Sequence, residues 1–592
     1  MAANDTSAYL YVVHDELVVL RKQYHDCSFF LNDKEKLKAD LSLIYAGKLA
    51  PTLFSWWCVN LPDAVVGGQY QATLETLQSA WHLLEDKNAP QKAKQILLEQ
   101  ASLPSWKESN YGNELGHDLC SSHHCRGFAA GLEVARSVLT TQEFDKIFLN
   151  YKTQIREPYL SACFTGNPYL VGTRNTNWLA HISGSVLLCE IALAKYGKED
   201  KSVLALAKAN VLRYIDMIRP DGSLPENGDY FHYGVEFALL SLHAWNIHFG
   251  HNIISNLSQT GLRNAIQWPL DFTDKDGVFW ADFGDTHTGN HEASRVVGYL
   301  FARYFQNQVG QWLGDLSKTR EPLAALLRFP SIEAKYHSSR LKIYSCEQVA
   351  VANFENQHLA MAGGACRSPI NNIPHRHYDS GSIIYRLKGT NVIADSGFYK
   401  YTDTYWTYFD DPAHERSAAR YHNVVFVDGR GYQHEDQIAG RLVLCREMQP
   451  GLIVFCWELT KGYPGLTSWV RQILLIENDL LIIMDRLNLS AQAKTASLYW
   501  HLHEQAKLTG NNQWQTSLIH GRVISNLNFE LQSNFDHPKP YVQIDLKAKE
   551  NKTCTIISVF SENLERLDSV TFDENKSKIC FDNKNWNCNQ YL

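Results

Sequence analysis

Apolar residues recur at helical spacing through roughly the first 330 residues. One stripe in residues 202–219 stops at Pro220-Asp221-Gly222 and predicts an amphipathic helix. Residues 178–196 and 234–245 are apolar on nearly every side, which predicts helices enclosed by protein. Further helices are predicted near residues 74–86, 128–139 and 292–306. Alternating enclosed and amphipathic helices are typical of an α/α toroid, in which outer helices shield inner ones.

The pattern changes after about residue 340, where short β-rich runs alternate with turn signals. Such runs predict antiparallel sheets, most readily a sandwich. The runs are residues 382–387, 391–394, 423–429, 441–445, 452–457, 469–476 and 479–485. We therefore expect an α+β multidomain chain, with a helical domain at 1–335 and a β-sandwich at 336–592.

Composition narrows the functional classes. The 592 residues carry a net charge of −7, so there is no global basic field of the kind that attracts nucleic acid. An anionic substrate would have to meet a local cluster of Arg, Lys and His.

We expect no membrane-spanning segment, and the first residues lack the pattern of a signal peptide. The 13 cysteines are odd in number and scattered, which indicates buried thiols; a metal site at Cys120 and Cys125 is disfavoured.

The densest polar cluster lies in residues 374–401. His375, His377 and Asp379 stand at alternate positions before a predicted strand, Asp395 follows the next strand, and His422 precedes another. Neighbouring strands lie about 5 Å apart, so groups at matching strand ends can converge. Two histidines and an aspartate would form a divalent-metal site, most readily for zinc. The alternative is separate histidines, each satisfied by local hydrogen bonds.

This segment resembles a known family. PHRHYDSGSIIYRLKGTNVIADSGFYKY (374–401), followed by Arg416, Arg420 and YHNVVFVDG, is similar to the signature of the heparinase II/III C-terminal domain. In the helical half, RNTNW (174–178) and RPDGSLPENGDYFHYG (219–234) resemble that family's motifs. The resemblance spans roughly residues 110–500. It implies an incomplete α/α toroid followed by an antiparallel β-sandwich, and a polysaccharide lyase activity.

Carried over by position, the resemblance implies the catalytic residues. Asn177 would bind the substrate carboxylate, Tyr230 would be the catalytic tyrosine, and His375 the catalytic histidine. Tyr233 is the less favoured tyrosine in the same motif. A structural metal, usually zinc, would be held by His377, Asp395 and His422. The side chains expected to bind substrate are Trp178, Tyr233, Arg416, Arg420 and a basic patch formed by His123, His124 and Arg126 before a helix.

The chemistry of β-elimination calls for residues of these kinds. The proton on C5 of a uronate is removed next to a carboxylate, and the oxygen on C4 is expelled. A donor such as the Asn177 amide must hold that carboxylate, and His375 or Arg420 could add positive charge. Tyr230 suits the acid that protonates the leaving oxygen. For glucuronate the proton and the leaving group lie on one face, so Tyr230 could perform both steps; for the C5 epimer, His375 on the opposite face could be the base.

Several residues have a structural alternative. Asn177 could simply cap the following helix, and Tyr230 and Tyr233 could pack in a Gly-rich stretch before a helix. Asp282 and Asp285 could cap a helix that begins near residue 291 or line the cleft, and the structural role is favoured for both. His375 and His377 would project together from a regular strand, although the resemblance assigns them different roles. Either their sites are neighbours or the segment is irregular.

The favoured function is a lyase acting on uronic-acid polysaccharides, with glycosaminoglycans preferred over alginate or oligoalginate. A glycoside hydrolase on an α/α toroid is a weaker alternative, because it needs two carboxylates flanking the scissile bond. Glu226, Asp229 and Asp285 are the candidates for that pair. A non-catalytic glycan-binding protein is the third alternative. The family suggests a periplasmic or secreted location, whereas the absence of a signal peptide leaves the cytoplasm open.

Overall fold

A computed structural model describes most of the chain. Outside the description are residues 1–7, 53–61, 109–116, 168, 172–175, 258–259, 282, 287–293, 317–321, 329, 364–374, 398–417, 433–439, 537–538, 548–552 and 590–592, and the side chains of residues 62, 227, 229 and 322. Within the described residues, the last helix of the N-terminal half ends at Leu327 and the first strand begins at Leu341. The change from helix to strand thus lies between these two residues, and the boundary at residue 335 stays a prediction.

The N-terminal half is helical. Its helices are α1 (His14–Asp26), α2 (Leu31–Tyr45), α3 (Pro62–Leu83), α4 (Ala89–Gln100), α5 (Leu119–Ala135), α6 (Thr141–Tyr151), α7 (Glu157–Thr165), α8 (Asn177–Ala194), α9 (Lys201–Ile215), α10 (Asn227–Phe249), α11 (Ile253–Asn256), α12 (Leu262–Ala265), α13 (Gln267–Leu270), α14 (Arg295–Phe305), α15 (Gln308–Leu316) and α16 (Pro322–Leu327). Local caps fix several starts: Asp118 caps α5 and Asp200 caps α9 through backbone N–H groups.

These helices form the expected two-layered toroid. The inner helices pack in chain order, α3 on α5, α5 on α8, α8 on α10 and α10 on α14, and α16 packs against both α14 and α3. Outer helices such as α4 and α9 cover them. The inner helix α8 is almost wholly buried and apolar on all sides, as the sequence predicts. By length and composition α8 could cross a membrane, contrary to the sequence expectation, but 89% of that window is buried inside the protein.

The C-terminal half consists of antiparallel sheets. Its elements are β1 (Leu341–Tyr344), β2 (Val349–Asn353), β3 (Gln357–Ala362), β4 (Ile383–Leu387), β5 (Thr390–Ile393), β6 (Val425–Val427), β7 (Arg441–Gln449), β8 (Leu452–Glu458), β9 (Leu466–Ile476), β10 (Leu480–Leu489), β11 (Thr495–His501), β12 (Lys507–Leu508), β13 (Gln513–Gln515), β14 (His520–Ser525), β15 (Phe529–Asn534), β16 (Tyr541–Lys547), β17 (Thr553–Ser561), α17 (Leu564–Ser569), β18 (Thr571–Asp573), β19 (Lys578–Phe581) and β20 (Lys584–Asn587). The described strands form sheets ordered β1-β2-β3-β4-β5, β12-β13-β14-β17-β10-β9-β8-β7, β15-β16-β11-β6 and β18-β19-β20.

The five-stranded sheet joins the two halves. Successive strand residues point to opposite faces, so each face can belong to a different core. On β2, Val349 and Val351 pack into the hydrophobic core of the toroid, whereas Ala350 and Ala352 pack into the core of the sandwich. Residues on β3 and β4 alternate in the same way. The sheet is therefore buried on both faces, and the toroid and sandwich share it.

Candidate active site

Loops from both halves meet beside the five-stranded sheet. The sandwich contributes residues 375–382, and the toroid contributes the start of α10 and the segment around Asp285. Arg376 fastens them together: its Nε donates to the carbonyl oxygen of Pro225 at 2.8 Å, and its guanidinium pairs with Glu347. The backbone N–H of Asp285 also donates to the carbonyl oxygen of His375 at 2.9 Å. These contacts bring side chains from both halves into one site.

Two predicted catalytic residues are in direct contact. The rings of Tyr230 and His375 stack with centroids 3.6 Å apart and planes inclined by 10°. Tyr230 comes from the first turn of α10, and His375 from the sandwich loop. His375 has a φ of +68°, in the left-handed region that side chains other than glycine rarely adopt. The segment is thus irregular, which resolves the expected conflict between His375 and His377.

One carboxylate holds both histidines of the loop. His375 Nδ1 lies 2.8 Å from Asp285 Oδ2, and His377 Nε2 lies 2.9 Å from Asp285 Oδ1. Burial of Asp285 would raise its pKa, but the hydrogen bonds and charge of the two histidines hold it well below its ordinary value. The expectation that Asp285 caps a helix is wrong. Asp282 lies outside the described residues.

Asn177 lies at the other side of His375. Its Nδ2 donates to Glu226 Oε1 at 2.8 Å, and that oxygen is 3.8 Å from His375 Nε2. Thr176, not Asn177, is the N-cap of α8, so the capping alternative for Asn177 is wrong. Burial raises the pKa of Glu226 to about 8 against the lowering effect of Asn177. Among the described residues, Asn177 Oδ1 and Glu226 Oε2 have no hydrogen-bond partner, so both oxygens are available to a ligand.

Tyr233 lies one turn further along α10. Its hydroxyl is 3.3 Å from His123 Nε2, and its ring is 3.8 Å from that of His181. Both tyrosines lie inside α10, so the sequence expectation that they precede the helix is wrong. Tyr230 is the one in contact with His375, which favours Tyr230 as the reacting tyrosine.

The expected metal ligands converge. One ligand atom from each of His377, Asp395 and His422 lies within 4.8 Å of the others, and all three residues are buried. His422 Nδ1 is 2.9 Å from Asp395 Oδ2. His377 Nδ1 has no hydrogen-bond partner in the described part of the chain, although it is buried. A buried nitrogen without a partner, beside a carboxylate and a second imidazole, fits a divalent ion such as zinc.

Buried polar contacts fix this cluster to the sandwich. Arg471 is fully buried and donates to the carbonyl oxygens of Gly381 and Asn423 at 2.6 and 2.8 Å. The Asn423 amide in turn donates to the carbonyl oxygens of Ile383 and Ala394, each at 2.8 Å. The loop that carries both histidines is therefore tied to the ends of β4, β5 and β6.

The three residues of the expected basic patch do not form an exposed basic surface. His123, His124 and Arg126 lie within α5, not before it, and all are buried. Burial lowers the pKa of each histidine to about 3, so both are neutral at pH 7. Arg126 pairs with Glu75 and Glu236. His124 stacks on a buried tryptophan, whereas His123 is turned toward Tyr233. His124 and Arg126 therefore support the toroid, and only His123 adjoins the site.

Three expected substrate-binding residues remain, Trp178, Arg416 and Arg420. Trp178 is half-buried and stacks on Tyr169 with ring centroids 4.6 Å apart. Arg420 is half-buried, with its guanidinium over the Tyr421 ring. Arg416 lies outside the described residues. These three stay predictions.

The eleven cysteines within the structural description are all free, as the sequence predicts, but only six of them are buried, and Cys27 and Cys346 are exposed. Cys120 and Cys125 lie in α5 and are buried, where their environment is that of core thiols.

Comparisons with known proteins agree with this geometry. Residues 358–557 match the family model described as Heparinase II/III-like, C-terminal. The crystal structure of a heparinase III superposes with a TM-score of 0.61, at 14% identity over 88% of this chain and 82% of that one. A heparan sulfate lyase from Pedobacter heparinus gives a TM-score of 0.55, at 14% identity over 96% and 93%. At such identities these likenesses show the fold. No curated protein matches the chain by sequence.

Proposed function

We infer that this protein is a polysaccharide lyase, and the match of residues 358–557 to the heparinase II/III-like C-terminal family model supports the proposal. The proposed substrates are uronic-acid polysaccharides, cleaved by β-elimination to unsaturated oligosaccharides. The observation that carries the proposal is the stacked pair of Tyr230 and His375, contributed by the two halves of the chain and flanked by Asn177. No such assembly is needed for a protein that only binds glycans.

Asn177 and Glu226 supply a receptor for the substrate carboxylate. At neutral pH most Glu226 is a carboxylic acid, because burial raises its pKa to about 8. The acid and the Asn177 amide can therefore both donate to a uronate carboxylate. Charge that develops on that carboxylate during removal of the C5 proton would meet these two donors.

Tyr230 then carries the proton. A tyrosine hydroxyl is suited to protonate a departing alkoxide, and as tyrosinate it can accept the C5 proton. With ring centroids 3.6 Å apart, no sugar fits between Tyr230 and His375, so the substrate lies beside the pair. This arrangement favours Tyr230 for both steps on glucuronate-type substrates. It does not supply His375 from the opposite face, as the sequence hypothesis for the C5 epimer requires.

A glycosaminoglycan is the preferred substrate class. The solved relatives include proteins described as heparinase III and heparan sulfate lyase, and glucuronate units occur in that class. Alginate stays the alternative. A glycoside hydrolase is disfavoured because it needs two carboxyls that flank the scissile bond, and the Asp285 carboxylate is held by two histidines.

We also propose a structural divalent metal held by His377, Asp395 and His422, with zinc preferred. When bound, the ion would supply fixed positive charge and crosslink the loop to the strands behind it. The chain's own residues perform the proton transfer.

The test uses purified protein and a panel of heparan sulfate, chondroitin sulfate, hyaluronan and alginate. Elimination leaves a conjugated double bond that absorbs ultraviolet light, whereas hydrolysis does not. Replacing Tyr230 by Phe should lower kcat by about 10²–10⁴-fold. Tyr159→Phe is the matched control, since the Tyr159 hydroxyl is buried against Ser183 away from the site. Cleavage without new absorbance would overturn the proposal.

A further inference from the structure

We propose that Asp285 is a positioning residue whose single carboxylate sets the ring tautomers of both His375 and His377. The inference deepens the proposed function and rests on it for the role of His375. One carboxylate from the toroid would thereby orient the histidine that contacts Tyr230 and the histidine that completes the metal cluster.

The inference starts from hydrogen-bond polarity. An ionised carboxylate only accepts hydrogen bonds. Asp285 faces His375 through Nδ1 at 2.8 Å and His377 through Nε2 at 2.9 Å. Both of those nitrogens must therefore carry hydrogen. In the neutral ring the opposite nitrogen is then the one with the lone pair, and it differs between the two histidines.

The two lone pairs face different groups. His375 Nε2 points toward Glu226, whose Oε1 is 3.8 Å away, so it lies on the side of the proposed carboxylate receptor. His377 Nδ1 is buried and has no hydrogen-bond partner among the described residues, and His377 converges with Asp395 and His422. A histidine that donates one N–H to a carboxylate and offers its other nitrogen to an ion is a common support for metal ligands.

A purely mechanical role for Asp285 can be separated from this one. Asp271 also joins the halves: it accepts from the Tyr344 hydroxyl at 2.8 Å and from the Ser339 backbone N–H at 2.7 Å. Both aspartates are fully buried. Neither partner of Asp271 in the sandwich is a histidine, so Asp271→Asn is a matched control for docking alone.

The first experiment needs only the metal-free wild-type protein. Protein labelled with ¹⁵N in histidine is examined by long-range ¹H–¹⁵N correlation, with His375→Gln and His377→Gln used to assign the two rings. We expect His375 to be protonated at Nδ1 and His377 at Nε2. Finding either ring with its hydrogen on the opposite nitrogen alone would overturn the proposal.

The second experiment compares Asp285→Asn with Asp271→Asn. An amide offers one acceptor and one donor group, so it cannot accept from both histidines. For Asp285→Asn we expect Zn²⁺ affinity, measured by competition with a chromogenic chelator, to fall by about 10–100-fold. We expect kcat to fall by a similar factor while KM changes less than about threefold. Equal effects in the two variants, or none in Asp285→Asn, would overturn the positioning role.

The outcomes separate this inference from the proposed function. Ring tautomers and Zn²⁺ affinity are measured without substrate, so they test Asp285 even when no polysaccharide is cleaved. Conversely, a wild-type protein that cleaves uronates but shows the opposite tautomers would retain the proposed function and lose this inference. If Asp285→Asn fails to fold, the wild-type tautomers decide alone.

Discussion

At the scale of single residues, the site depends on partners that are distant in the chain. His375 is oriented by Asp285, ninety residues away, and by Tyr230, which comes from a helix of the other half. The family resemblance pointed to Asn177, Tyr230 and His375, and the structure brings these residues together, while their catalytic roles stay predictions. For Asp285 the sequence favoured a helix cap over a place in the cleft, and it named Glu226 only for the disfavoured hydrolase, because the neighbours of neither side chain follow from local sequence. The available signal for Asp285 was the polar segment ADFGDTHTG that contains it.

Glu226 carries a prediction about pH. Its raised pKa of about 8 means that the carboxyl is neutral at pH 7 and largely ionised at pH 9. An ionised Glu226 would repel the uronate carboxylate, so KM should rise about tenfold between these values, whereas below pH 7 it should be constant. In Glu226→Gln that rise should be absent. Steady-state kinetics at both pH values decide; an equal rise in the variant would contradict the assignment.

At the scale of elements, residues 375–382 are irregular and closely held. His375 has a left-handed backbone conformation, and buried Arg376 and Arg471 hold the segment to the toroid and the sandwich. The periodicity of the sequence predicted the strands around this loop and the irregular alternative for it. The sequence periodicity placed the start of α10 too late, because two glycines interrupt the apolar pattern. Packing of α10 within the toroid outweighs the low helix propensity of these glycines.

The metal cluster gives a prediction at this scale. A bound ion would crosslink the loop to the ends of neighbouring strands. At a free Zn²⁺ concentration about 100 times the Kd, binding stabilises the fold by about 3 kcal/mol, and a chelator that removes the ion should abolish this stabilisation. Calorimetry should show a melting temperature lower by a few degrees, restored by Zn²⁺. The His422→Ala variant should have the lower melting temperature whether or not Zn²⁺ is added. His358→Gln is the control: it alters a histidine on β3 that binds Asn353 outside the cluster and should keep the full response.

At the scale of the whole molecule, the two halves are not separate folding units. The five-stranded sheet sends alternate side chains into each core, as Val351 and Ala352 do on β2. The order of helices before strands could be read from the sequence. The shared sheet could not, because strand residues apolar on both faces indicate burial without saying by what.

This shared sheet predicts cooperative unfolding. Separating the halves would expose one apolar face of the sheet, at a cost of roughly 25 cal/mol per Å² of apolar surface. Differential scanning calorimetry of the full chain should therefore show a single transition, with the loss of helix and strand signals coinciding. Two resolved transitions would contradict the common core.

The same sheet constrains how such a protein can change over evolutionary time. The sandwich depends on the toroid helices to bury one apolar face of the five-stranded sheet. Fused to a different protein, the sandwich would stay folded only if its new neighbour buried that face with an equally apolar surface. Recombination would therefore succeed at surface loops and fail at the seam near residue 335, although that seam is where the chain changes from helix to strand.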